Sequence, residues 1–327
     1  MTENSLDSVD FWPRLLADIG VADKISQDNA FSYIKHDLGE LMKATMPCST
    51  ISIELFGSRI LGLARTNSDM DIHIAIDKHL QQYSEKPTEA VWIYQRNIVT
   101  AIRNSNVNWN YQFKLGGRCP IVSAIHRSTG ISCDISFTNN LTCIQNYIVK
   151  FLFQLQPMAR YMVTYLRSWI EEICLREVFR SHILIFLVIY FLQIENHLPS
   201  IKALQLNLEP TFGPLVTTFF RVPLSKFNMA EIKVTEAETR IMLKKFFKFY
   251  STFDFSKMAI CTYLGRPIER ESLEANMPER YTSYKGFGAN EFIGKTAVIQ
   301  DFIQLDRNKG KNLKPEHIDL FQKNLCL

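Results

Sequence analysis

Three aspartates and a glycine–serine pair are the residues of this sequence best suited to chemistry. Asp69 and Asp71 stand in LFGSRILGLARTNSDMDIHIAID at 55–77, where Gly57 and Ser58 follow a β-branched run. Residues two apart on a strand project to one face. Asp69 and Asp71 therefore present neighbouring carboxylates while Met70 and Ile72 turn toward a core. Like charges so close repel unless a cation lies between them. Mg²⁺, a hard cation that takes carboxylates together with substrate phosphates, suits that need. A third acid, Asp134, sits among apolar residues in GISCDISF, a costly position for an unpaired charge. With that segment paired beside the first, three carboxylates converge. Such a set holds two divalent ions, one activating an attacking hydroxyl and one clamping a triphosphate and its leaving group. Gly57 permits close approach of backbone to a phosphate, and Ser58 offers it a hydroxyl and an N–H.

The elements that must position these groups are strands. TISIELF, DIHIAI, CPIVSAI and ISCDISF are short alternating or β-branched runs, and RSTG at 127–130 joins the last two as a hairpin turn. An amphipathic helix is predicted over 88–103. Helical spacing governs 11–45 and returns after 140, over 140–155, 157–175, 181–195, 236–253 and 314–325, with a mixed segment at 254–300 that has Gly-rich turns around 286–294. The fold class is thus α+β. A mixed-sheet catalytic domain is expected over 44–140, and a larger helical domain, discontinuous in sequence, over 1–43 plus 141–327, with the N-terminal helices packing on the C-terminal ones.

With 327 residues, 46% hydrophobic and 21% charged, the chain has the composition of a globular protein, which excludes disorder or collagen-like repetition as its main state. The net charge of +4 tolerates a polyanionic partner without demanding one. Seven cysteines, at 48, 119, 133, 143, 174, 261 and 326, form no C-x-x-C pair, which points to reduced thiols without a zinc site. The longest apolar run, Ile183 to Leu192, has ten residues, where a bilayer span needs about 20. No membrane association and a cytoplasmic location are the expectations.

The Gly-Ser turn, the paired acids and the third in-strand acid resemble those of the DNA polymerase β-like nucleotidyltransferases, and within them the terminal uridylyltransferases and cytoplasmic poly(A) polymerases. The resemblance continues through DISFTNNL at 134–141, SHILIFLVIYFLQ at 181–193 followed by LPSI, KKFFKFYSTFDF at 244–255 and IQDFIQLDRNKGKNL at 299–313. It implies a palm-like catalytic domain, a helical central domain and a nucleotide bound in the cleft between them. The implied chemistry is untemplated addition of a nucleoside monophosphate to an RNA 3′ end. Asp69, Asp71 and Asp134 match the metal-binding acids, Asp134 also being placed to accept the 3′-hydroxyl proton, and Gly57 and Ser58 match the triphosphate turn.

At the nucleotide pocket the sequence departs from the family. The ribose-contacting Asn falls on Gln145, with Asn146 beside it. Two lysines that approach the triphosphate fall on Arg167 and Glu171; Arg176 and Arg180 are candidate substitutes for the missing cation. Ser181 is kept, while the base-stacking Tyr after it becomes His182. The His associated with uracil falls on Arg307, followed by Asn308. The leading reading is a UTP-using RNA uridylyltransferase with Mg²⁺ or Mn²⁺. The alternatives are an adenylyl-adding enzyme using ATP, and an RNA-binding pseudoenzyme that keeps the fold. Lys244, Lys245 and Lys248, and later Lys309, Lys311 and Lys314, are basic clusters that a solvated face explains equally well. With no zinc-knuckle or RNA-recognition signature, RNA selection falls to the catalytic cleft or to a protein partner.

Overall fold

The computed structural model describes residues 6–77, 87–117, 119–285 and 292–325. Cys326 and residues 286–291 of the Gly-rich stretch lie outside the described residues. The chain divides into two compact units, Ile19–Tyr147 and Met1–Asp18 with Ile148–Leu327.

In the first unit, five strands follow one another as β1 (Ile51–Phe56), β2 (Met70–Ile76), β3 (Trp109–Leu115), β4 (Ile121–His126) and β5 (Ile131–Ser136). Their order in the sheet is β1-β2-β5-β4-β3. β2 and β5 run parallel, and every other neighbouring pair runs antiparallel. Period-two alternation buries Met70, Ile72 and Ile74 of β2, Cys133 and Ile135 of β5, and Val122 and Ala124 of β4 on one face. Ser-Thr-Gly at 128–130 makes the β4–β5 hairpin turn, with Gly130 at φ +69.

Helices α1 (Phe11–Gln27), α2 (Ala30–Thr45) and α3 (Glu89–Asn104) precede or interrupt the strands. Ile34, Leu38 and Met42 of α2 and Ile98 and Ile102 of α3 are fully buried in the same core as the sheet. Each such side chain stabilises the packed state by about 1.5–3 kcal/mol. This core draws α2 into the sheet unit, whereas residues 1–43 were expected with the helical domain. Asp37 of α2 adds a polar tie, its Oδ2 lying 3.0 Å from Nε2 of the buried His126. Strand β3 was not expected, although Trp109, Tyr111, Phe113 and Leu115 alternate with polar residues through it.

The second unit is built on α4 (Leu141–Leu155), α5 (Met158–Glu172), α6 (Ser181–Ile194), α7 (Ile201–Leu204) and α8 (Glu236–Ser251), with a parallel pair β6 (Ala259–Ile260) and β7 (Val298–Ile299). The unit boundaries fall inside α1 and α4. α6 is apolar all round and is buried from Ile183 to Gln193, as a helix without a polar face must be. Among the described residues no helix is long and apolar enough to cross a membrane.

After β7, residues 301–309 form a turn held by buried polar groups. The Asn308 side chain accepts the Ile299 and Gly310 N–H groups and donates to the Phe292 and Ala297 carbonyls. Asp301 is fully buried and pairs with Lys309 at 2.7 Å. Burial pushes the Asp301 carboxyl up, but Lys309 and the Ile303 N–H outweigh it and leave the pKa lowered. Removing one partner of a buried pair strands the other charge, at a cost of about 3–5 kcal/mol. Lys309→Met is therefore expected to lose stability of that order in urea denaturation.

Candidate active site

The parallel pairing of β2 and β5 sets Asp71 directly beside Asp134, on strands about 4.8 Å apart. Both acids point away from the face that carries Ile72 and Ile135, and both are half-buried. Asp69 lies one residue before β2 begins and is exposed. Burial first, then Asp69 and Asp134, push the Asp71 carboxyl up to about 7, with Arg59 pulling the other way. Asp134 is also raised, by burial and by Asp69, against a hydrogen bond from Ser123. Ser123 is its cross-strand partner on β4 and is buried. His73, two residues beyond Asp71, is buried too, and burial pushes its pKa down to about 4, so it adds no positive charge at neutral pH.

These acids suit a divalent cation by the chemistry of the donor set: Asp69 acts on both Asp71 and Asp134 to disfavour their charged forms, and positive charge among the three would relieve that repulsion. Among the described residues no three His, Cys, Asp or Glu side chains stand close enough to form a ready metal cage.

Gly57 turns at φ +80, and a Cβ there would overlap Oδ2 of Asp71 and stand 3.0 Å from its Cβ. Glycine is required here by the acid itself, a reason additional to phosphate approach. The Gly57 N–H donates to Asn146 Oδ1 at 3.0 Å, and Asn146 Nδ2 donates to the Thr142 carbonyl at 2.9 Å. Asn146, expected beside the nucleotide, thus secures the turn that Gly57 and Ser58 form. Gln145 next to it is half-buried.

Arg167, Glu171, Ser181, His182 and Arg307 belong to the other unit. On α5, Arg167 is half-buried and Glu171 is exposed. Glu171 takes the Arg176 guanidinium at 2.5 Å, so the candidate substitute cation is engaged by the acid that reversed the charge. Arg180 precedes α6 and lies 3.9 Å from Glu177. His182 is exposed at the start of α6 yet desolvated by its surroundings, and that desolvation, followed by Lys309 and Arg180, pushes its pKa down to about 4. Asp301 acts on His182 in the opposite sense and itself feels Arg307. Asp301 in the turn at 301–309 is thus linked electrostatically to both His182 and Arg307, which are distant in sequence.

Comparison with known proteins follows this geometry. Residues 26–152 match the family described as poly(A) RNA polymerase, mitochondrial-like, central palm domain. The human mitochondrial poly(A) RNA polymerase is 22% identical over 299 residues, which is 81% of this chain and 49% of the relative. Human terminal uridylyltransferase 7 is 22% identical over 311 residues, 91% of this chain and 19% of the relative. Among solved structures, mtPAP in complex with ATPγS superposes with a TM-score of 0.72 at 20% identity, covering 98% of this chain and 66% of that one. Terminal uridylyl transferase 4 from Trypanosoma brucei with bound dUTP superposes with a TM-score of 0.66 at 17% identity, covering 95% of this chain and 96% of that one. The fold is the α+β nucleotidyltransferase fold of these two solved structures. The chain spans about half the length of the mitochondrial poly(A) polymerases it matches.

Within this nucleotidyltransferase fold, two residues around the acids escaped sequence reasoning. Ser123 was visible as a lone polar residue in the apolar run IVSAI, and Arg59 as the residue immediately after Gly57-Ser58. Asn146→Ala removes the acceptor of the Gly57 N–H. It is expected to cost about 1 kcal/mol of stability, read by urea denaturation.

Proposed function

We propose that this chain is a template-independent RNA 3′-terminal nucleotidyltransferase that adds UMP from UTP. The observation that carries the reading is the pairing of Asp71 with Asp134, beside Asp69 and against the positive-φ Gly57, in this fold. Asp69, Asp71 and Asp134 would hold the Mg²⁺ or Mn²⁺ ions, which supply charge neutralisation on the triphosphate and acidify the attacking hydroxyl. The RNA 3′ oxygen attacks the α-phosphorus, the bond from that phosphorus to the oxygen bridging to the β-phosphate breaks, and pyrophosphate leaves. Asp134 is assigned to accept the hydroxyl proton, as the carboxylate directly beside Asp71 that Ser123 hydrogen-bonds. Ser123 orients Asp134 for that task through its hydrogen bond. Ser58 and Arg167 are assigned to the triphosphate, and Gln145 to the ribose.

Base choice is assigned to Ser181, His182 and Arg307. Arginine carries donors only, and uracil offers two carbonyl acceptors, whereas the adenine edge pairs an acceptor with an amino donor. A neutral His182 stacks on a base without adding charge. A protein partner that supplies RNA selectivity and a cytoplasmic location belong to the same reading. Adenylyl addition is the second reading, favoured by the poly(A) polymerase family match over 26–152.

The test incubates the protein with labelled single-stranded RNA and each of the four nucleotides separately, with Mg²⁺ or Mn²⁺. Extension with UTP alone is the expected result. Extension mainly with ATP would favour the second reading, and no extension with either metal would contradict transfer and favour an RNA-binding pseudoenzyme.

A further inference from the structure

The side chain of Arg59 is only 6% exposed, and it ends among three acceptors. Its Nη2 donates to the Ser68 carbonyl at 3.0 Å, its Nε to the Asp69 carbonyl at 3.3 Å, and its Nη1 to Asp28 Oδ2 at 3.4 Å. Asp28 Oδ1 in turn accepts the Ala30 N–H at the start of α2. Arg59 leaves the chain immediately after Gly57 and Ser58, and the carbonyls it grips belong to Ser68 and to the acid Asp69. One guanidinium thus joins the turn assigned to the triphosphate to the turn that presents the first acid, and anchors both to α2.

We propose that Arg59 is a positioning residue that fastens the Gly57-Ser58 turn to the Ser68–Asp69 turn, so that the phosphate-binding and acid-bearing segments keep a fixed separation. The inference rests on the function proposed above. The planar fork matters, because three donors aimed at three separated acceptors are what a guanidinium provides and an ammonium on a flexible stem does not. The rival explanation is charge alone: the cation also acts on Asp71, and a positive charge near three acids eases their repulsion wherever it is fixed. Lysine separates the two, since it keeps the charge and loses the fork.

The experiment compares wild type, Arg59→Lys, Arg59→Gln and Asp28→Asn, each shown to be folded by thermal melting, in two assays. The first is RNA extension, separating kcat from the nucleotide KM. The second is Mn²⁺ binding without nucleotide, followed by the electron paramagnetic resonance of free Mn²⁺. Positioning predicts that Lys and Gln both lower kcat by roughly 30-fold, the scale of a sub-ångström to ångström misplacement, while KM stays within about threefold. It also predicts that both weaken Mn²⁺ binding. Asp28→Asn keeps the guanidinium and loosens its anchor, and is expected to lower kcat by about three- to tenfold in the same pattern; it carries the test if Arg59→Gln does not fold. Wild-type kcat and Mn²⁺ binding in Arg59→Lys, or in both Arg59 variants, would overturn the inference. If wild type itself extends no RNA, the proposed function fails. The Mn²⁺ assay then still decides Arg59: equal weakening in Lys and Gln supports it, and unchanged binding in Lys overturns it.

Discussion

Asp71→Asn is expected to lower RNA extension by at least about 1,000-fold, and to raise the melting temperature of the metal-free protein at pH 8. The first effect follows from the proposed function, in which the acids act as a unit in nucleotidyl transfer and the loss of one disables the set. The second follows from linkage. The Asp71 carboxyl is pushed up to about 7 from an ordinary value of 3.8, by burial and then by Asp69 and Asp134. The folded state therefore holds its proton more tightly than the unfolded chain does. Stability from this group is present in full below the unfolded value and is lost as pH rises through the folded one. A shift of that size corresponds to about 4 kcal/mol as an upper limit. Solvent reaches the half-buried side chain, and screening reduces the effect to about 1–2 kcal/mol. Scanning calorimetry in a chelator at pH 5 and pH 8 reads it: wild type melts lower at pH 8, and the variant recovers a few degrees there. A variant that melts lower than wild type at pH 8 would contradict the repulsion described among the acids.

Gly57→Ala is expected to lower kcat by about 100-fold or more, because the new methyl overlaps the Asp71 carboxylate and must displace it. Backbone strain at φ +80 adds about 1–2 kcal/mol of destabilisation. Gly130→Ala separates the two effects. It has a similar φ of +69 but nothing within 4 Å of the added carbon. It is expected to lose comparable stability while extending RNA at a near-normal rate. Equal activity in Gly57→Ala and wild type would show that Asp71 tolerates displacement, and so is not held where the chemistry requires it.

The acid-bearing strands were legible because each alternates: Met70, Asp71 and Ile72, or Cys133, Asp134 and Ile135, put the acid on one face and the apolar residues on the other. The parallel register that makes Asp71 the neighbour of Asp134 is a property of the sheet order, which no local pattern encodes. The amphipathic spacing of α2 showed that Ile34, Leu38 and Met42 would be buried, but not that the sheet would bury them. Strand β3 carried an alternating signal in Trp109, Tyr111, Phe113 and Leu115, although Phe113 and Leu115 end exposed at the sheet edge. The role of Asn146 depends on a hydrogen bond to Gly57 across 89 residues. Likewise, His182 and Arg307 are each linked electrostatically to the buried Asp301, whose partner Lys309 read in the sequence only as part of a basic cluster.

The most direct measurement is single-turnover extension of a labelled RNA by wild type and by Asp134→Asn, with UTP and Mg²⁺ or Mn²⁺, both proteins shown to be folded. The account predicts longer RNA with wild type and none above background with the variant. Undiminished extension by Asp134→Asn, or no extension by wild type with either metal, would contradict it.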